Sequence, residues 1–239
     1  MNIALLTAGG VGNRMGQDIP KQFMPIDNCP VIIYTMQAFQ YCDDIDAIAV
    51  VCLKGWEVFL QSYANQFNID KLKWIFEGAD TNQMSIANGV LGLKESGCKD
   101  DDIILVHDGV RPLVSTEIIH NNIETCKRHG YAVTGLTCKE AIMELVGECV
   151  QQIEIPREQL IRTQTPHTYR LRTLIDAHIK AKEMGIQNTV ASCTLFTSLG
   201  VNHQCFVKGS EKNGLKLTNP EDVELFKSMK NTDPEPWMK

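Results

Sequence analysis

Apolar and polar positions along this chain follow two alternating rhythms. Short apolar runs at Ile3–Thr7, Ala47–Leu53, Leu72–Phe76 and Asp102–His107 are rich in β-branched residues and too brief for helices, so they predict buried strands. Between them the spacing changes to three and four residues. Val31–Gln40, Trp56–Asn68 and Ser85–Glu95 predict helices, with Ser85 near the start of the last, and Ser115 is placed to cap a further helix whose apolar face runs from Ile118 to Cys126. Strand and helix in strict succession imply an α/β fold, a mostly parallel sheet with helices on both faces.

The rhythm breaks between Tyr131 and Ile161. Three short β-like runs, Ala132–Leu136, Ala141–Leu145 and Val150–Ile155, follow one another with few helix signals, which predicts a protruding β-arm at about 131–161. Thr173–Met184 then predicts a helix, Asn202–Val207 a strand, and Asn219-Pro220-Glu221-Asp222 the opening of a final helix with Pro and two acids in its first turn. The polar tail from Asn231 is expected to fray. No internal repeat interrupts residues 1–239, which read as one domain carrying the arm.

Composition narrows the function classes. A formal net charge of -6 argues against a broad nucleic-acid or anionic-membrane surface, because such surfaces neutralise phosphates with Lys and Arg. No apolar stretch approaches the roughly 20 residues of a spanning helix, and Asn2-Ile3-Ala4-Leu5-Leu6 lacks the basic leader and longer apolar run of a signal peptide; a cytoplasmic protein is expected. The nine cysteines include no Cys-x-x-Cys pair and sit singly inside apolar runs, which predicts reduced, mostly buried thiols.

Four constellations carry candidate chemistry. Ala8-Gly9-Gly10-Val11-Gly12-Asn13-Arg14 follows the first strand and is soon joined by Pro20-Lys21-Gln22. Such a loop lets backbone N–H groups approach phosphate oxygens, while Arg14 and Lys21 can neutralise charge that builds up during phosphoryl transfer. Neither a complete Gly-x-Gly-x-x-Gly nor a Gly-Lys-Ser/Thr ending is present, which disfavours an NAD-linked reductase or a P-loop kinase. Asp108, at the end of the Asp102–His107 run and followed by Gly109-Val110-Arg111-Pro112, is a candidate Mg²⁺ ligand or a turn residue. Gly78-Ala79-Asp80-Thr81-Asn82-Gln83-Met84-Ser85 is a polar loop in which Asp80 and Ser85 either meet a base edge or cap the helix. Arg157, seven residues before Gln164-Thr165-Pro166, suits a phosphate and, lying beyond the arm, could serve a neighbouring subunit; an ordinary surface role is the alternative.

Taken in order along the chain, these motifs and the late Lys216-Leu217-Thr218 with Pro220-Glu221-Asp222 resemble the cytidylyltransferase family of D-ribitol-5-phosphate cytidylyltransferase and 2-C-methyl-D-erythritol 4-phosphate cytidylyltransferase. The resemblance implies a Rossmann-like nucleotidyltransferase fold, CTP and a sugar or polyol phosphate as substrates, and a homodimer built through the arm. It implies transition-state roles for Arg14 and Lys21, and Mg²⁺ on Asp108. Ala8, Gly9, Gly10, Gly12, Ala79, Asp80 and Ser85 would surround the nucleotide, and Arg111, Arg157, Thr165 and Lys216 the acceptor phosphate. His107-Asp108-Gly109-Val110-Arg111-Pro112 and Ser192-Cys193-Thr194-Leu195 lean to the ribitol-phosphate branch. Ala79, Asn82, Ala141, Val190, Ala191 and Gly214 depart from the usual residues, mostly on the acceptor side. A different acceptor, or a nucleotide-binding homologue with weak turnover, would fit those departures.

Overall fold

The computed structural model describes residues 1–10 and 19–232. In chain order the elements are β1 (Asn2–Ala8), β2 (Pro25–Ile26), β3 (Cys29–Pro30), α1 (Val31–Gln40), β4 (Ala47–Cys52), α2 (Glu57–Gln66), β5 (Leu72–Glu77), α3 (Asn82–Glu95), β6 (Ile103–Asp108) and α4 (Thr116–His129). There follow β7 (Tyr131–Thr137), β8 (Met143–Val146), β9 (Cys149–Gln152), β10 (Ile161–Arg170), α5 (Leu171–Glu183), α6 (Ser192–Ser198), β11 (Cys205–Lys208), α7 (Glu211–Gly214) and α8 (Pro220–Thr232). One seven-stranded sheet, in the order β11-β7-β10-β6-β1-β4-β5, organises the chain. β6, β1, β4 and β5 run parallel, and β10 lies antiparallel between β6 and β7.

Because successive strand residues face opposite ways, the sheet divides the interior into two cores. Ala4, Leu6 and Ala8 pack on one face with Ile32, Phe39, Ile119 and Phe226, from α1, α4 and α8. Ile3 and Leu5 pack on the other face with Ile86, Leu174 and Phe196, from α3, α5 and α6. β4 is buried along its whole length, as expected of a parallel strand covered on both sides. Gly89 of α3 lets that helix sit directly on the sheet: a Cβ there would lie 2.7 Å from Val51 and 2.9 Å from Leu5. Seven of the nine cysteines are buried as free thiols, and Cys149 is exposed.

Two expectations need correction. Tyr131–Thr137 is not arm but a buried central strand paired with β10 and β11; the element that protrudes is the hairpin β8–β9, which among the described residues pairs only within itself. Both segments are short and β-branched, so they look alike in sequence, and burial is what separates them. Ile161–Arg170 gives no strand signal because it is polar and contains Pro166, which argues against a central strand. The ladder accommodates the proline by a register shift between Thr163 and His167, where the Thr165–Pro166 peptide is cis. Ser85 does not begin its helix either: Thr81 is the N-cap, accepting a hydrogen bond from the Met84 N–H at 3.1 Å.

Candidate active site

The carboxyl ends of β1, β4, β5 and β6 open on one side of the sheet, the usual position of ligands in open α/β folds. There the chain turns away from β1 through Gly9 and Gly10. The buried Gln22 side chain donates to the carbonyls of Ala8 and Gly10, at 2.8 and 2.9 Å, and so pins the start of the glycine loop to the 3-10 turn Lys21–Phe23. Glycine is required where backbones meet. A Cβ on Gly78 would lie 2.9 Å from the Cys52 carbonyl oxygen and 3.1 Å from the Cα of Gly9. The Ser85 hydroxyl closes the next loop, accepting from the Ala79 N–H at 2.9 Å and donating to the Ala79 carbonyl at 3.2 Å.

These segments enclose a cavity of about 760 Å³. Ala8, Gly9, Gly10 and Lys21 line it from one side, and Ala79, Asp80 and Ser85 from the other. Gly12 and Arg14 lie outside the described residues. The charge of Lys21 also reaches Asp222, near the start of α8, so the late motif returns to this site. Asp222 in turn accepts from the Thr218 hydroxyl at 2.8 Å and its N–H at 2.7 Å, fixing the segment that carries Lys216.

A second cavity, of about 190 Å³, adjoins the first; Asp108 and Lys216 line both. Asp108 ends β6, and its Oδ2 meets Arg111 Nε at 2.8 Å and Lys216 Nζ at 3.1 Å. Burial works to raise the Asp108 carboxyl, but the charges of Lys216 and Arg111 outweigh it and hold the group well below the usual carboxylate range. Arg111 is further anchored by the Gly214 carbonyl at 2.6 Å. Thr165 accepts from the Asp108 N–H at 3.2 Å, bringing β10 against the end of β6.

Several residues that shape this second cavity have no role assigned from the sequence. Gln164 sits at the register shift of β10, donates to the Ser210 carbonyl at 2.9 Å and accepts from Asn213 at 2.9 Å. A Cβ on Gly209 or Gly214 would collide with it at 2.2 or 2.8 Å, so both glycines make room for Gln164. Gln83 of α3 donates to the Ile186 carbonyl at 2.6 Å and accepts from the N–H and hydroxyl of Thr189, at 2.9 and 3.0 Å. That bracing holds Val190 and Ala191 at the rim of the cavities. His107 is fully buried, edge-on to Phe39 and bonded to the Arg111 carbonyl at 3.0 Å; burial pulls its ring down from 6.5 to about 4.

Arg157 stands apart. It is half-exposed beside the hairpin, where it donates to the Lys139 carbonyl at 3.1 Å and pairs with Glu158 at 3.2 Å, and it lines neither cavity of its own chain. Asp108 is the one metal-ligand candidate singled out from the sequence. Among the described residues no three His, Cys, Asp or Glu come together. That donor set does not fit zinc, which takes three or four protein ligands, but it fits a magnesium ion carried by a nucleotide triphosphate, which needs only one or two carboxylates.

A glycine-lined cavity that meets a smaller one at Asp108 and Lys216 has the form of a two-substrate site, as a nucleotidyltransferase needs. The fold is that of known enzymes of this class. The crystal structure of 2-C-methyl-D-erythritol 4-phosphate cytidylyltransferase from Thermus thermophilus is 26% identical and superposes with a TM-score of 0.74, covering 97% of this chain and 100% of that one. The corresponding synthase structure from Anaerococcus prevotii shares the fold at 19% identity and a TM-score of 0.79.

The family model IspD, 2-C-methyl-D-erythritol 4-phosphate cytidylyltransferase, matches residues 2–229, and the chain belongs to that family of CTP-dependent cytidylyltransferases. The ribitol-5-phosphate cytidylyltransferase of Lacticaseibacillus paracasei is 39% identical over 95% of this chain and 97% of its own length. That of Vibrio parahaemolyticus is 38% identical over 97% of each. The 2-C-methyl-D-erythritol 4-phosphate cytidylyltransferase of Clostridium novyi is 30% identical over 95% of this chain and 96% of its own length.

Proposed function

We propose that this enzyme transfers CMP from CTP to the phosphate of ribitol 5-phosphate, giving CDP-ribitol and pyrophosphate. The observation that carries the reading is the meeting of the two cavities at Asp108 and Lys216. It is supported by relatives named for ribitol 5-phosphate at 39% and 38% identity over nearly the whole chain.

In this reading CTP occupies the larger cavity, its phosphates against Gly9, Gly10 and Lys21, and its base beside Ala79, Asp80 and Ser85. The acceptor phosphate lies in the smaller one, against Arg111, Thr165 and Lys216. An oxygen of that phosphate attacks the α-phosphorus in line; the new P–O bond forms as the bond to the β-phosphate oxygen breaks, and the electron pair leaves with pyrophosphate. The attacking oxygen is already anionic, so no residue is needed as a strong general base. Lys21 and Arg14 stabilise the charge that gathers on the α-phosphoryl oxygens, and tight positioning supplies much of the remaining acceleration. Asp108 would hold Mg²⁺, whose charge neutralises the triphosphate.

The hairpin belongs to the same reading. Met143, Leu145, Val146 and Val150 are all exposed on β8–β9, and two hairpins paired about a twofold axis would cover them and bring Arg157 to the partner's acceptor cavity. Mixing Arg157→Ala with Lys21→Ala chains would restore a fraction of activity through hybrid sites. No recovery after demonstrated subunit exchange removes Arg157 from the partner's site.

Pyrophosphate release with CTP tests the main claim, with ribitol 5-phosphate and 2-C-methyl-D-erythritol 4-phosphate as acceptors. Faster release with ribitol 5-phosphate is expected. Preference for the erythritol phosphate would assign the chain to the other branch, and CTP binding with no release on either acceptor would leave a nucleotide-binding homologue.

A further inference from the structure

The smaller cavity contains a feature that phosphate chemistry does not use. His167 is 2% exposed and Ser192 3%, and each keeps a buried polar atom, Nε2 and Oγ, with no hydrogen-bond partner among the described residues. His167 lies opposite Val106 in the β10–β6 ladder, which directs it to the α3, α5 and α6 face of the sheet, where Ser192 begins α6. Both line the cavity, and so does Ile86. His107 also lines it and keeps Nδ1 unpaired, but its ring packs against Phe39 on the opposite face.

Leaving a polar atom buried and unpaired is destabilising, so two in one cavity call for an occupant that satisfies them. Their chemistry says which. The backbone of Gln164 bonds the His167 ring in a way that favours its charged form, as a carbonyl accepting from Nδ1–H does. Burial nevertheless keeps the ring neutral, pulled down to about 4. A neutral ring that donates from Nδ1 presents a lone pair at Nε2. The Ser192 hydroxyl can donate or accept. A single hydroxyl group answers both, donating its hydrogen to Nε2 and accepting from Oγ, whereas an ether, a carbonyl or a methylene cannot donate. Arg111 and Lys216, which line the same cavity, are suited to the phosphate end of the same molecule.

We propose that His167 and Ser192 read a hydroxyl group of the acceptor, and thereby select a polyol phosphate over one that lacks a hydroxyl at that position. The inference rests on the acceptor phosphate occupying the smaller cavity, as in the function proposed above.

The test compares wild type, His167→Leu and Ser192→Ala on ribitol 5-phosphate and on its singly deoxygenated analogues. Each substitution is expected to lower kcat/KM for ribitol 5-phosphate by about tenfold or more while leaving the KM for CTP unchanged. One deoxy analogue should be a poor acceptor for the wild type and lose nothing further in the variants. Equal losses on every acceptor would overturn the proposal, because a structural role or a trapped water does not distinguish the analogues. Should His167→Leu fail to fold, Ser192→Ala carries the same comparison, since its hydroxyl makes no bond that folding needs. If the wild type releases no pyrophosphate with any polyol phosphate, the reading of function fails by itself. Calorimetric binding of ribitol 5-phosphate then decides the inference: weaker binding by both variants supports it, and unchanged or absent binding overturns it.

Discussion

The two cavities are built by different means. The larger one, at the ends of β1, β4 and β5, is shaped by backbone and by side chains bonded to it: glycines where backbones meet, a buried Gln22 bonded to two carbonyls, and a Ser85 hydroxyl folded onto Ala79. The smaller one is made of side chains drawn from segments far apart in sequence, Asp108 and Arg111, Gln164 to His167, Val190 to Ser192, and Lys216. Backbone can cradle phosphates without regard to what is attached to them. A wall of side chains can be changed one residue at a time: of the positions marked as departures, Ala191 lines only the smaller cavity, Asn82 and Val190 line both, and Ala79 lines only the larger. The comparison teaches that a constant donor and a variable acceptor can be served by one fold without altering its sheet.

The sharpest way to break that comparison is to remove one charge from each side. Lys21→Ala is expected to lower turnover by about a hundredfold or more with little change in thermal stability, because in the proposed mechanism the lysine acts on charge that exists only during transfer. Stopped turnover assays and a melting curve read both quantities. Asp108→Asn should lower activity and raise the Mg²⁺ concentration required, and in addition cost about 1–2 kcal/mol of stability, since it strips Arg111 and the half-exposed Lys216 of their partly buried charged partner. The sequence on its own suggests an effect on the metal far larger than on stability; the ion pairs add a structural cost. An unchanged Mg²⁺ titration would make Asp108 a structural residue alone.

What can be read from the sequence follows the same division. Glycine, a following cation and a buried strand are local signals, so the larger cavity's Gly9, Gly10, Lys21 and Asp80 are legible before any fold is known. The parallel core is legible too, since β4 and β6 are unbroken apolar runs. The smaller cavity depends on β10, whose polar residues and Pro166 hide a strand, and on Gln83, whose bonds reach over a hundred residues along the chain to Ile186 and Thr189. No local pattern marks such a contact. The hairpin's limits escape the sequence because periodicity registers strands and does not separate buried Ala132 and Val133 from exposed Leu145 and Val150.

Acid stability offers a gentler probe of the acceptor side, which holds His107 and His167, while His178 is on the buried face of α5. Burial pulls all three from 6.5 to about 4. The unfolded chain therefore binds more protons between those values, so stability is complete above pH 6.5 and is lost as the pH falls toward 4. Each ring contributes a slope of up to about 1.4 kcal/mol per pH unit. Asp108, held low, adds a loss of the same sign only in more acidic solution. Urea midpoints measured from pH 7.5 downward, on about half-unit steps, should fall in the histidine window, and His178→Leu should make the fall shallower. A flat profile to pH 5 would mean that the rings stay uncharged in the unfolded chain or are hydrated in the folded one.

The smallest expected effect tests whether the two sides are independent at all. Thr81 belongs to both: its hydroxyl oxygen caps α3 by accepting from Met84 N–H at 3.1 Å, and its hydrogen goes to the Gln187 carbonyl at 3.2 Å. The first bond orients the loop of Ala79 and Asp80 beside the larger cavity. The second, with Gln83, ties that loop to the segment ending at Val190 and Ala191. Thr81→Ala should cost about 1 kcal/mol as a lost cap, or about 2–4 °C in Tm for a chain of this size. It should also raise the KM for CTP and for the acceptor together, each by about twofold, with kcat nearly unchanged, as for a contact equally present before and during transfer. Movement of the CTP constant alone would mean that the cap serves only its own loop. The acceptor wall would then be held by Gln83 without help, and the two cavities would be separately adjustable.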